Sequence, residues 1–403
     1  MRIYCADLRH NELLDVVFRW AHLIAGIMWI GNSMLFNWLD RNLVKSAGDH
    51  ALSQGKIYMV HSGAFYEVEK KLLPPGALPD PLHWFKWQNG ITWMTGICLM
   101  VIVYYGNGAA FLVDPSVRAL SPTTAILLSA GTLVAGFAVY DLIWRTLGPR
   151  APVVATALSF ALLFASAYGF TLLFSGRAAY IQTGVLIGTV MTGNVWMVIL
   201  PSQRELISAT REGRDQDPSY SIKAKQRSIH NNYLTFPLLF IMVSNHFPST
   251  YGHHLGWAIL FAVMVGGAGV RHFMNVRYAV PRQAWLAPAA VMASIAIVGL
   301  LVLSRVARPA LGKVDGEVGF ARAQEIIVTR CVSCHASTPT DTMFVAPPNN
   351  IKFETAEQIK ALAPRILDRA VVNQTMPFLN RTAMTAQERA ELGAWIEQGA
   401  KLQ

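Results

Sequence analysis

The stretch Pro122–Trp144, PTTAILLSAGTLVAGFAVYDLIW, carries Asp141 as its lone charged residue. Its apolar side chains cover the whole helical circumference, whereas a helix packed on a soluble core keeps a polar face. Its length matches the roughly 20 apolar residues that a helix needs to cross a bilayer. Seven further stretches read the same way: Leu13–Trp38, Trp84–Tyr105, Pro152–Phe174, Tyr180–Leu200, Asn232–Phe247, His254–Phe273 and Ala284–Leu303. The sixth is short if Pro248 ends it. Trp or Tyr recurs near their ends, where an amphipathic ring suits the interface. Charged residues make up only 14% of the 403 residues, and the mean hydropathy is +0.34. A soluble chain of this size carries about a quarter charged residues. The predicted fold class is therefore all-α, a polytopic membrane bundle of about eight spans over residues 1–304. A linker, 305–315, leads to a separate domain at 316–403.

Lysine and arginine collect in alternate loops. Arg41, Lys45, Lys56, Lys70 and Lys71 lie between the first two stretches, and Arg204, Arg211, Arg214, Lys223 and Arg227 between the fifth and sixth. The opposite loops hold little beyond Arg118 and Arg177. Basic loops stay in the cytoplasm, so an even number of spans puts both termini outside. The first apolar run is too long for a signal peptide, and Asp7 and Glu12 stand where a basic segment is expected. A retained anchor is predicted. The formal net charge of +10 belongs mostly to those inner loops, which argues against a nucleic-acid partner.

The tail carries Cys331-Val332-Ser333-Cys334-His335. Two thiols at this spacing can each form a thioether to one porphyrin, and the next histidine reaches the iron. By chance such a motif arises on the order of once in a thousand chains of this composition. A half zinc site or a redox dithiol is the alternative; a second pair of ligands and a strand–helix setting are both missing from the sequence. Haem c is attached outside the cytoplasm, which agrees with the charge topology. Phe320, Ile326 and Ile327 predict a helix before the motif. Thr385-Ala386-Gln387-Glu388 predicts a capping box opening a last helix, which Gly399 closes. The layout over 316–403 resembles a class I cytochrome c. Met376, followed by Pro377, is the candidate second axial ligand; Met343 reads as a loop side chain and Met384 as packing.

In the membrane half, intramembrane polar groups are the place to look. Arg19, Trp20 and His22 offer a cation, an aromatic face and a base together, although consecutive helix positions do not share one face. Topology puts His22, His246, His253 and His254 near the outer face, where they are candidates for a membrane haem b or an electron-delivering site. His61, His83, His230 and His272 fall on the inner side. Interhelical hydrogen bonding is the alternative role for each. Gly184-x-x-x-Gly188 and Gly266–Gly269 are predicted to allow close helix packing rather than to bind phosphate.

The segments Arg19-Trp20-Ala21-His22, Trp29-Ile30-Gly31-Asn32-Ser33, His230-Asn231-Asn232-Tyr233-Leu234-Thr235 and Ser244-Asn245-His246-Phe247-Pro248, set before a cytochrome tail, resemble the membrane-bound bacterial urate hydroxylases. The resemblance covers essentially the whole chain. It implies oxidation of urate to 5-hydroxyisourate in the bacterial inner membrane without hydrogen peroxide, the added oxygen coming from water. Electrons are then expected to leave through haem c to a soluble cytochrome c or a terminal oxidase. Because haem c carries one electron and the substrate yields two, a second haem is a further expectation. A membrane electron-transfer subunit and a quinol or small-molecule dehydrogenase are the rival readings. Urate is a planar anion, so its site should combine arginine, an aromatic face and a base.

Overall fold

The computed structural model describes residues 2–46, 52–115, 117–277, 316–341 and 346–402, with single positions between 281 and 314 and at 344; side chains are described from Leu13, Asn107 excepted. The helical half comprises α1 (Arg2–Asn42), α2 (Trp87–Leu99, continued by a π-helical turn to Tyr105), α3 (Pro122–Thr146) and α4 (Pro152–Leu173). Then come α5 (Gly176–Asn194), α6 (Leu200–Glu212), α7 (Pro218–Val243) and α8 (Gly256–Val276). Five described segments are long and apolar enough to cross a membrane: Leu13–Asn42, Pro122–Thr146, Pro152–Leu173, Gly176–Glu212 and Gly256–Val276. The stretches expected at Trp84–Tyr105 and Asn232–Phe247 are helical but fall outside that group. The eighth, Ala284–Leu303, lies largely outside the described residues.

Two boundaries differ from the hydropathy reading because caps, not apolar runs, set helix ends. Asp217 accepts the Ser219 N–H at 2.8 Å, so α7 starts at Pro218 instead of Asn232. Ser175 caps α5, and the helix continues through a π-helical segment, Val195–Ile199, into α6, which stops at Gly213 in the left-handed region (φ +70°).

The described residues are mostly helical, and the all-α expectation needs correction between α1 and α2. There β1 (Ser53–His61) pairs antiparallel with β2 (Ala64–Lys71), placing Tyr58 opposite Glu67 and Val60 opposite Phe65. Ser62 and Gly63 both take positive φ, +51° and +77°. A two-residue turn of that hand matches the twist of the flanking strands.

α3, α4 and α5 share one apolar core that includes Leu133, Tyr140, Trp144, Phe170 and Leu186. A second joins α5, α7 and α8 through Tyr180, Ile187, Leu238, Ile241 and Leu260. Glycine brings these helices close, as expected, though not at every predicted position. A Cβ on Gly184 would lie 2.7 Å from Ile241, and one on Gly267 3.1 Å from the Pro237 nitrogen; Gly188 and Gly266 meet nothing.

In the tail, α9 (Phe320–Arg330) packs against the last helix, with α10 (Ala356–Ala361) between them in sequence and α11 (Ala386–Glu397) closing the chain. Ile326, Ile327, Leu392 and Trp395 form the buried contact. The capping box is present as predicted: Thr385 Oγ1 accepts the Glu388 N–H at 3.1 Å, and Glu388 accepts the Thr385 N–H at 2.7 Å. Arg330 of α9 also reaches Glu388 at 2.9 Å, so one carboxylate caps α11 and ties it to α9.

That double role has a pH consequence. Burial acts to raise the Glu388 pKa, but the Thr385 N–H and the Arg330 guanidinium outweigh it and hold the group below its ordinary 4.5. A depressed carboxylate stabilises the fold fully above its unfolded pKa and loses that contribution as pH falls through the folded value. The protection of α11 against hydrogen exchange in the full chain, relative to intrinsic rates at each pH, should fall below pH 4.5, and Glu388→Gln should flatten that dependence. Thr385→Ala should destabilise α11 by about 1 kcal/mol. Unchanged exchange in both variants would remove the capping account.

Candidate active site

α9 ends where the motif begins. The Cys331 N–H caps the helix on Ile327 O at 2.8 Å, and the His335 N–H returns to Cys331 O at 3.0 Å. The coil places both sulfurs and the imidazole along one crevice. His335 is buried, and its Nδ1 lies 3.0 Å from Ile351 O. A carbonyl accepts only, so Nδ1 carries the proton and Nε2 keeps its lone pair. Burial lowers the His335 pKa, partly offset by the Ile351 bond, which favours the neutral ring that can ligate a metal.

Met376 lines the same crevice. Its N–H donates to Arg369 O at 3.0 Å, and its carbonyl accepts from Arg389 Nη1 at 2.7 Å. The buried Arg389 also donates to Ala370 O and to Asn380 Oδ1, so one guanidinium clamps the methionine loop. Met384 is buried in the tail core, 3% exposed, which leaves it to packing. Met343 lies outside the described residues.

The thiols do not have the electrostatics of a reactive pair. Burial pushes the Cys331 thiol up to about 12, and burial followed by Asp341 raises that of Cys334. A redox dithiol needs the opposite shift. Among the described residues, no three or more His, Cys, Asp or Glu side chains gather as a metal-binding group.

The crevice opens into a cavity of about 840 Å³, within the range of cofactor and ligand sites. Cys331, Cys334, His335, Ile351, Phe353 and Met376 form one wall. Phe111, Gly176, Arg177, His246, Tyr251 and His253, from the helical half, form the other. The halves meet closely: Phe111 and Phe378 have ring centroids 4.9 Å apart, and a Cβ on Gly252 would lie 2.6 Å from Thr375. Arg177 follows the capped start of α5. Its Nε donates to Asn245 Oδ1 at 2.9 Å, and its guanidinium lies 5.2 Å over the Phe111 ring. Asn245 shares a 3-10 turn, Ser244–His246, with His246.

The sequence candidates separate accordingly. Cys331, Cys334, His335, Met376 and His246 come together around this cavity. Arg19, Trp20 and His22 do not. Arg19 pairs with Asp15 at 2.7 Å, Trp20 is 67% exposed, and His22 turns to α2, with Nδ1 2.9 Å from Thr92 O and 3.1 Å from Thr95 Oγ1. Successive residues on a 3.6-residue turn point about 100° apart. Sequence reading passed over Arg177 and Phe111. The available signal was Arg177 itself, an isolated cation in an otherwise charge-poor connection between apolar helices.

Helices fit to cross a membrane, set against a crevice of two thiols, an imidazole and a thioether, are consistent with an oxidoreductase of the membrane. Residues 9–303 match the urate oxidase N-terminal family, and the chain belongs to that family. No curated protein and no solved structure matches the chain.

Proposed function

We propose that the chain oxidises urate to 5-hydroxyisourate and passes the electrons outward through a covalently held haem c. Residues 316–403 then act as a class I cytochrome c domain on the periplasmic side of a bacterial inner membrane. The observation that carries this reading is the shared cavity: the Cys331–His335 turn and Met376 face it from one side, and Arg177 with His246 from the other. Family membership supplies urate-related oxidation.

The crevice suits the cofactor. Cys331 and Cys334 would form the two thioethers, His335 would offer Nε2 and Met376 its sulfur, within an apolar lining that includes Ile351, Phe353 and Ile366. When bound, the haem supplies a one-electron acceptor whose potential a thioether ligand raises. The protein's own work is to bind and orient the substrate. Arg177 holds the urate anion as Asn245 fixes its Nε, Phe111 offers an apolar face, and His246 takes a proton. In balance, urate and water give 5-hydroxyisourate, two protons and two electrons. A new C–O bond forms to the water oxygen, and the electrons leave singly to a soluble cytochrome c or terminal oxidase.

The test runs the purified full chain in ¹⁸O-labelled water with oxidised cytochrome c as acceptor. The label should enter 5-hydroxyisourate, and no peroxide should form. Label arriving from O₂, or peroxide equal to product, would refute the reading. Met376→Ala should lower the haem potential while the thioether attachment persists, as potentiometric titration would show. An unchanged potential would exclude Met376 as ligand.

A further inference from the structure

A second cavity, of about 540 Å³, lies among α3, α4, α5, α7 and α8. Its mouth is edged by Val153, Phe160, Ile229 and Val265, all exposed apolar side chains, Val153 at 80%. Val153, Phe160 and Val265 stand on helices of membrane-crossing length. An occupant entering here therefore comes from the lipid phase.

The deep end is polar, and one backbone carbonyl orients its amides. Asn231 Nδ2 donates to Met191 O at 2.9 Å, which directs Asn231 Oδ1 towards Asn194. Asn194 Nδ2 then donates to that oxygen at 2.9 Å and, with its other hydrogen, to the Tyr140 hydroxyl at 3.0 Å. Tyr140 has one hydrogen left to give, and His230 Nδ1 lies 2.7 Å away. Given in that direction, this hydrogen bond makes Nδ1 the acceptor and leaves the proton of the neutral ring on Nε2. Behind this tip Arg227 donates to Asp141 Oδ1 at 2.8 Å and lies 5.0 Å over the Tyr140 ring. Its Nη1 is buried without a hydrogen bond, as is Asn194 Oδ1. Both are polar atoms whose burial is costly while unmet.

Apolar walls, a mouth in the lipid and an N–H donor at the tip select the occupant. Urate is polar on every edge and would lose its hydration along Leu163, Leu186 and Met264. A lipid acyl chain leaves the donor unmet. A b-type haem between His230 and His272, the two histidines in the lining, needs the opposite His230 tautomer, with Nδ1 donating to Tyr140. We propose that this cavity binds the ring of a lipid-borne quinone, one carbonyl accepting from His230 Nε2 and the tail leaving through the mouth. The site is separate from the cavity under the tail and gives the protein a second contact with membrane electron carriers.

Binding of decylubiquinone to the full chain in lipid nanodiscs, followed by tryptophan fluorescence quenching, tests this. Saturable binding should weaken about tenfold in His230→Leu, the loss of one hydrogen bond, while His230→Gln, which keeps a donor, should retain most of it. Val153→Trp blocks the exposed mouth without touching the hydrogen-bonded network, and it should also weaken binding about tenfold, even if His230→Leu fails to fold. Unsaturable partition that is equal in wild type and Val153→Trp would overturn the proposal. So would extraction of non-covalent protohaem from the purified protein, which would mean that the cavity holds a haem.

Discussion

His335→Ala should abolish urate-driven electron output while leaving the haem attached. The two thioethers depend on Cys331 and Cys334, which the substitution leaves in place. It removes the Nε2 lone pair that His335 offers, since Nδ1 is committed to Ile351 O. A haem held by Cys331 and Cys334 would then keep only Met376 as a side-chain ligand, and it would lose the low-spin bands that two strong ligands give. Reduction of external cytochrome c by urate should fall to background in steady-state assays, with the denatured haem spectrum still showing covalent attachment. A variant that keeps near-normal turnover would place the ligand elsewhere. Full loss of covalent haem would point to a failure of maturation, and a His335→Gly variant supplied with imidazole would then decide the matter. Recovery of the low-spin bands supports ligation, and their continued absence rejects it.

The second large effect is expected at Arg177. A hydrogen bond to a charged partner contributes about 1.5–3 kcal/mol. Its removal in Arg177→Ala should therefore raise KM for urate about 10- to 100-fold, since each 1.4 kcal/mol is tenfold. If the contact is equally strong in ground and transition states, kcat should change little. Arg177→Lys should recover part of the affinity, because it keeps the charge but loses the planar fork. The competing account is that Arg177 only braces Asn245, which it touches at 2.9 Å. Asn245→Ala separates the two. Bracing alone predicts that both alanine variants behave alike, whereas substrate contact predicts a much larger KM change at Arg177.

What was legible in the sequence is what local chemistry decides. The Thr385–Glu388 capping box, the Cys331–His335 turn and the burial of Met384 follow from spacing of a few residues, and the structure shows all three. The apolar helices were legible for the same reason, since their composition alone fixes them. The hairpin was legible and overlooked. The β-branched and aromatic residues Ile57, Tyr58, Val60, Phe65, Tyr66 and Val68 around Ser62-Gly63 are a strand-and-turn signal.

Other features rest on distant packing. Asp141 meets Arg227 across 86 positions of sequence, and Arg177 meets Asn245 across 68. Nothing near Arg177 in the chain announces that it will share a cavity with Cys331. The grouping of Arg19, Trp20 and His22 shows the converse. Neighbours in sequence offered the right functional groups, but the helix sends them in three directions, and His22 ends on the α2 backbone instead. His230, read from sequence only as an inner-side histidine, acquires a defined hydrogen-bond partner once Met191, Asn231, Asn194 and Tyr140 are placed around it.

The central claim joins the two walls of the cavity: urate on one and the haem crevice on the other. Its most direct test is anaerobic addition of urate to the purified, oxidised full chain while the c-haem absorption bands are followed. The account predicts urate-dependent reduction of the haem, absent in His335→Ala and requiring higher urate in Arg177→Ala. Haem that dithionite reduces fully but urate does not reduce at any concentration would contradict it.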